Sequence, residues 1–350
     1  MMDKQEKINQ YNPSGVGKEG SIYGLPFNFE ESNIVLLPVP WDVTVSYGYG
    51  THEGPQAILD ASQQVDLYDF DNPDGWESGI FMLDISEELK AKGKNNRMKA
   101  NEIIKYLEKG GDIQTNPTLL KNLEEVNEAC AEMVSWVCEQ TTSLMARGKM
   151  VGLVGGDHSI PLGYLQALNN KYEKFGVLHI DAHADLRNSY EGFEYSHASI
   201  MYNAMKLPNI SKLVQVGVRD ISHEEMNLID HSAGRIVSFF DPYLKEQLFL
   251  GKNWDSLCEK IVKELPHLVY VSYDIDGLDP KLCPGTGTPV AGGLEVEMVN
   301  YLIGKIEESG RKIIGFDLVE VGTSEWDGNV GARVLYKLCM MAEIFCKTKV

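Results

Sequence analysis

Eight short runs in this chain are almost continuously apolar: Ile34–Val39, Ile80–Leu83, Met150–Val154, Val177–Ile180, Leu213–Val218, Ile236–Phe239, Leu268–Tyr273 and Ile313–Phe316. Each has the length of a strand. A strand with one wet face alternates apolar and polar residues; a run that does not alternate must bury both faces. Between the runs lie helical patterns. Leu119, Leu120, Leu123, Val126, Cys130, Met133, Val134, Val137 and Leu144 recur at helical spacing, and Gly148 ends that pattern. Ser159 ahead of Ile160-Pro161 reads as the N-cap of another helix. Strands alternating with helices predict an α/β fold, a mostly parallel sheet sandwiched by helices. Residues 1–32 read as a polar N-terminal arm across the body or a neighbour, and 33–350 as a single domain. Its charged, Gly/Asn-containing stretch near 84–117 reads as a surface excursion with one short helix.

In parallel α/β sheets ligands bind beyond the C-terminal ends of the strands, and there this sequence turns acidic. GGDHS places Asp157 and His158 past one run, and HIDAHADLR places Asp181, His183 and Asp185 past another. SYDIDGLDP adds Asp274, Asp276 and Asp279, and GFDLVEVG adds Asp317 and Glu320. In an extended chain residues i, i+2 and i+4 share a face, so Asp181, His183 and Asp185 can converge, as can Asp274 and Asp276. That much buried negative charge requires compensation, most simply by divalent cations. Four aspartates and two histidines are too many donors for one tetrahedral zinc, and suit two ions about 3.5–4 Å apart. Oxygen-rich ligation with imidazole points to Mn²⁺ or a similar first-row ion. Asp157 and Asp279 read equally well as caps or turn acids. His179, inside its strand, reads as a satisfied core residue, and His52, His223, His231 and His267 as structural or surface groups.

The formal net charge of -19 excludes a nucleic-acid partner. No apolar run approaches the roughly 20 residues that span a bilayer, and MMDKQEKINQ has no apolar signal core. The chain therefore reads as soluble and cytoplasmic, without a membrane partner. Its cysteines (130, 138, 258, 283, 339 and 346) form no C-x-x-C pair and read as reduced thiols, with Cys283 in a loop. There is no phosphate-cradling glycine motif and no G-x-S-x-G elbow.

GGDHS, DAHAD and SYDIDGLDP, in that order, resemble the ureohydrolases: arginase, agmatinase, formimidoylglutamase and their relatives. The resemblance covers about residues 33–345 and includes PVPWDVTVSYGYGTHEGPQAIL. It implies a three-layer α/β/α sandwich around an eight-stranded, mostly parallel sheet. It implies that His158, Asp181, Asp185 and Asp274 hold one metal, and that Asp181, His183, Asp274 and Asp276 hold the second, with Asp181 and Asp274 bridging. It further implies that a hydroxide between the ions attacks a guanidinium carbon, giving urea and an amine. Asp185 would steer that hydroxide, His197 (in YSHAS) would shuttle a proton, and Glu320 would hold the guanidinium.

EGFEYSHAS and GTGTP resemble the agmatinase branch, where arginases carry a short polar residue at the place of Arg187. Agmatine is therefore the first expectation, with Glu191 or Glu194 as possible partners of its ammonium tail, and a homotrimer or homohexamer as the assembly. VGTSEWDGNVGARVLY after Glu320 departs from many relatives. Together with the long N-terminal arm and the 84–117 excursion, it resembles a subgroup that hydrolyses free guanidine with Ni²⁺, and a pocket closed by Trp326 and Arg187 would favour such a tail-less cation. A non-catalytic binding relative is disfavoured because every ligand position is filled. A deacetylase on a related sandwich is disfavoured because its His-His pair is absent.

Overall fold

The computed structural model describes residues 3–15, 17 and 20–347, apart from the side chains of 345–347. Its strands are β1 (Ile34–Val39), β2 (Ile80–Met82), β3 (Met150–Gly155), β4 (Phe175–Ile180), β5 (Ile210–Val216), β6 (Ile236–Phe239), β7 (Leu268–Asp274) and β8 (Lys312–Val319). They form one sheet in the order β2-β1-β3-β8-β7-β4-β5-β6, and every pairing is parallel. The helices are α1 (Lys4–Gln10), α2 (Gly54–Ser62), α3 (Glu87–Glu108), α4 (Pro117–Ala146), α5 (Pro161–Lys171), α6 (Ile200–Ala204), α7 (His223–Asp230), α8 (Asp241–Phe249), α9 (Trp254–Glu264), α10 (Val296–Glu308) and α11 (Glu325–Lys347).

The apolar runs bury both faces because the sheet has a core on each side. Ile34 and Leu36 of β1 enter one core with residues of α9, α10 and α11. Val35, Leu37 and Val39 enter the other with residues of α3, α4 and α5. The architecture is a three-layer α/β/α sandwich around an eight-stranded parallel sheet. All eight expected strands exist, with ends displaced where polar residues continue the ladder, as Ser211 and Lys212 do in β5.

Two local expectations are corrected. The stretch 84–117 is mostly α3, a 22-residue helix. Its buried positions (Leu89, Gly93, Asn96, Ala100, Ile103, Ile104) recur every three or four residues, and this sparse stripe packs on α4. Glycine and asparagine within the stripe hide it from an apolar-pattern reading; Gly93 is buried against Trp41 and the Pro40 carbonyl, and the Asn96 amide donates to the Lys92 carbonyl. Ser159 does not cap α5; the N-cap position is Ile160, and the Ser159 hydroxyl donates to Asp157 Oδ1. At the N-terminus, the Tyr23 hydroxyl donates to the Ala332 carbonyl at 2.9 Å, and Lys4 Nζ donates to the Ser78 carbonyl at 2.6 Å. These contacts lay the first segment across the body. No described helix is long and apolar enough to cross a membrane.

Candidate metal centre

Four adjacent strands of the sheet, β3-β8-β7-β4, end at one rim. His158 follows β3, Glu320 follows β8, Asp274 closes β7 with Asp276 in the next turn, and Asp181, His183 and Asp185 follow β4. Each group leaves its strand where the ladder stops, so side chains far apart in sequence meet without long loops. Asp185 (φ 54°) and Glu320 (φ 61°) adopt the left-handed conformation. That costs a non-glycine residue about 1–3 kcal/mol, and such strain concentrates at functional sites.

The donor atoms form two groups that share Asp181. His158 Nδ1 stands 2.9 Å from Asp181 Oδ2, 3.1 Å from Asp185 Oδ2 and 3.2 Å from Asp274 Oδ2. His183 Nδ1 stands 3.1 Å from Asp276 Oδ2 and 3.3 Å from Asp181 Oδ1. Asp181 thus directs one oxygen into each group, the disposition of a bridging carboxylate. The ligand atoms of His158, His179, Asp181 and Asp185 lie within 4.8 Å of one another, as do those of Asp181, His183 and Asp276.

Electrostatics agrees with this donor set. Burial works against a charged His158, yet Asp181, Asp185 and Asp274 raise its imidazole well above the ordinary range. Burial likewise opposes His183, but Asp276 and Asp181 lift it to about 12. Burial, with Asp181, pushes the Asp185 carboxyl up to about 7. Burial, Asp276 and Asp181 push Asp274 well up. The cluster carries more negative charge than its surroundings compensate, and protons are retained at positions where cations fit. Donors of this kind exchange protons for divalent ions.

Other groups hold the donors in place. Ser272 Oγ lies 2.9 Å from His158 Nε2, leaving Nδ1 to face the acids. The Arg219 guanidinium donates to the carbonyls of Asp276, Val290, Leu278 and Gly217 at 2.8, 2.9, 3.1 and 3.1 Å, pinning the loop that carries Asp276. Glu225 Oε1 accepts the Leu186 amide at 3.0 Å, and Thr288 Oγ1 reaches Asp276 Oδ2 at 3.3 Å. Sequence reasoning missed Arg219, Glu225 and Thr288. The S-x-x-E capping box of Ser222 and Glu225 was the signal for Glu225, and Thr288 lies in the GTGTP motif.

Glu320 is 3% exposed. Its Oε1 accepts the His158 amide at 3.0 Å, and its Oε2 has no hydrogen-bond partner among the described residues. A Cβ at Gly287 would stand 2.9 Å from that oxygen, so any larger residue there would crowd it. A cavity of about 150 Å³ reaches the cluster, lined by His183, Asp185, Arg187, Tyr190, His197 and Thr288 among others. The Arg187 guanidinium lies over the Tyr190 ring at 5.0 Å, and Tyr190 meets the His197 ring edge-on at 6.2 Å. Burial, with the charged His183, His158 and Arg97, lowers His197 to about 3, so this imidazole is neutral near pH 7.

Other expectations fall elsewhere. Trp326 does not cover the cavity: it is 52% exposed, donates to the Lys281 carbonyl at 3.1 Å, and lines a separate groove with Ala57 and Asp60. Its place at the start of α11 turns it outward. Glu191 and Glu194 do not line the cavity either; Glu191 sits in a tight turn at φ 55°, and the Glu194 amide donates to Asn127. Asp157 and Asp279 accept local amides from Ser159 and Lys281. Cys283 is buried, which pushes its thiol up and makes it a poor nucleophile. The Cys346 side chain lies outside the described residues.

Known proteins resemble this chain in sequence and in fold. The sequence matches the arginase family over residues 32–342. It is 30% identical over 293 residues to an N(1)-aminopropylagmatine ureohydrolase of Thermus thermophilus, covering 84% of each chain. It is also 30% identical to an agmatinase of Bacillus anthracis, covering 84% of this chain and 85% of that one. Among solved structures, the agmatine ureohydrolase of Thermoplasma volcanium superposes with a TM-score of 0.71 at 22% identity, over 99% of this chain and all of the other. With a family match spanning nearly its whole length, the chain belongs to the arginase family.

Proposed function

We propose that this protein is a binuclear-metal hydrolase that cleaves a guanidino C–N bond, converting agmatine and water to putrescine and urea. The observation that carries the reading is the pairing of a bridging-disposed Asp181 with a buried Glu320 oxygen that has no hydrogen-bond partner among the described residues, on a side chain whose other oxygen accepts the His158 amide. Two divalent ions, Mn²⁺ by the donor set, would be held by His158, Asp181, Asp185 and Asp274 and by Asp181, His183, Asp274 and Asp276. When bound they supply the Lewis acidity that makes a shared water nucleophilic near neutral pH. Glu320 Oε2 accepts from the guanidinium and fixes its plane, as a carboxylate suits. Asp185 accepts a hydrogen bond from the attacking water and orients it. His197, neutral and on the cavity wall, takes up a proton and delivers it to the departing amine. The relatives named above are called agmatinase and N(1)-aminopropylagmatine ureohydrolase, which supports a substrate with a guanidino head and an amine tail.

Free guanidine is the second reading, with Ni²⁺ as the metal. Arg187 on the wall of a cavity of about 150 Å³ favours it, because a cation there opposes a cationic tail. Elemental analysis of the purified protein, followed by urea and ammonia assays with agmatine, arginine, formimidoylglutamate and guanidine, separates the two. Turnover of agmatine above guanidine is expected. Bound metal well below two ions per chain, with no guanidino substrate hydrolysed after Mn²⁺ or Ni²⁺ loading, would remove the reading.

A further inference from the structure

Beneath the metal centre a line of polar side chains crosses the sheet. Ser238 of β6, Gln215 of β5 and His179 of β4 are successive cross-strand partners, and His179 and Gln215 are fully buried. Ser238 Oγ donates to Gln215 Oε1 at 2.8 Å. Gln215 Nε2 reaches the Ala184 carbonyl at 2.7 Å and His179 Nδ1 at 3.0 Å. His179 Nε2 lies 2.7 Å from Asp181 Oδ2.

The direction of each bond follows from valence. A main-chain carbonyl only accepts, so the side-chain atom facing Ala184 must be nitrogen and the amide cannot be reversed. Its second hydrogen then points at His179 Nδ1, which must offer a lone pair. The imidazole proton is therefore on Nε2, donated to Asp181. His158 Nδ1 faces three carboxylates whereas His179 Nε2 faces Asp181 alone, so we assign His179 as the partner of that carboxylate and not as a metal ligand, although its ring stands among the ligand atoms. The carboxylate it holds is the one with an oxygen in each group of donors.

We propose that Ser238, Gln215 and His179 form a positioning arm that locks the Asp181 carboxylate in its bridging orientation and thereby sets the affinity for the ion pair. This rests on the two-ion reading of the site. Partners that orient a metal-binding side chain typically contribute about 10- to 100-fold in affinity.

The test is titration of the chelator-stripped full-length protein with Mn²⁺, reading ions per chain, dissociation constants and the exchange-coupled EPR signal of a manganese pair. His179→Phe removes the donor and is expected to weaken binding about 10- to 100-fold and to diminish the coupled signal. His179→Gln keeps an Nε donor at similar reach and is expected to recover most of both. Gln215→Leu, which lets the imidazole turn, is expected to weaken binding about tenfold. Wild-type affinity and coupling in His179→Phe would overturn the proposal. Should that variant fail to fold, Gln215→Leu decides alone, unchanged binding being the refuting result. A wild-type protein that takes up no paired Mn²⁺ would instead defeat the two-ion reading, and the arm with it, before any variant is compared.

Discussion

Replacing Glu320 by glutamine separates function from stability at one position. Glu320 Oε1 is held by the His158 amide at 3.0 Å. The amide oxygen of a glutamine keeps that bond, and its NH₂ then occupies the place of Oε2. A donor would face the guanidinium, itself all donors. Losing a charge-assisted hydrogen bond costs about 1.5–3 kcal/mol, and leaving a buried cation unmatched adds to that. A total of about 2–4 kcal/mol corresponds to a fall of about 30- to 700-fold in kcat/KM. Bound metal should not change, because Glu320 is not among the donors. In the chelator-treated protein the same substitution should stabilise. Burial, Asp157 and Asp276 hold the Glu320 carboxyl well above its ordinary value. The folded state then retains a proton that the unfolded state has released, so stability falls as pH rises above about 4.5, the unfolded carboxyl value. Glutamine removes that slope. Thermal unfolding at pH 5 and pH 8 should therefore show Glu320→Gln gaining on wild type at the higher pH. A kcat/KM within threefold of wild type, or a variant that loses ground with rising pH, would refute the reasoning.

Asp276→Asn should lose one ion and most turnover while its circular dichroism stays native; elemental analysis and a urea assay check both. Gly287→Ala places a methyl 2.9 Å from Glu320 Oε2, and a rise in KM of about tenfold with full metal content is expected if guanidinium binds there. Trp326→Ala should leave kcat/KM within about twofold, the usual size of a surface change, as steady-state kinetics will show. His197→Ala should slow turnover near neutral pH, with partial recovery when imidazole is added to the assay.

The alternation of apolar runs and helical patterns determined a parallel sheet, because burial on both faces leaves a local imprint on composition. The clustering of Asp181, His183 and Asp185, and of Asp274 and Asp276, marked the rim as a place for cations, but the expected extended chain is absent there. The strands end at Ile180 and Asp274, Asp185 is left-handed and Asp276 lies in a 3-10 turn, so turns bring the donors together. Helix α3 was not legible: its stripe is partly glycine and asparagine, and only tertiary contact, for Gly93 with Pro40 and Trp41, gives it a buried side. Trp326 was misplaced because sequence distance from Glu320 says nothing about which way the start of α11 turns. The tautomer of His179 and the carbonyl cage around Arg219 depend on partners from other strands and loops. Identity and local spacing of the donors are properties of the chain itself, written within a few residues. Which oxygen of Asp181 faces which imidazole is decided by strand order and cross-strand hydrogen bonds, which exist only once β3, β8, β7 and β4 lie side by side.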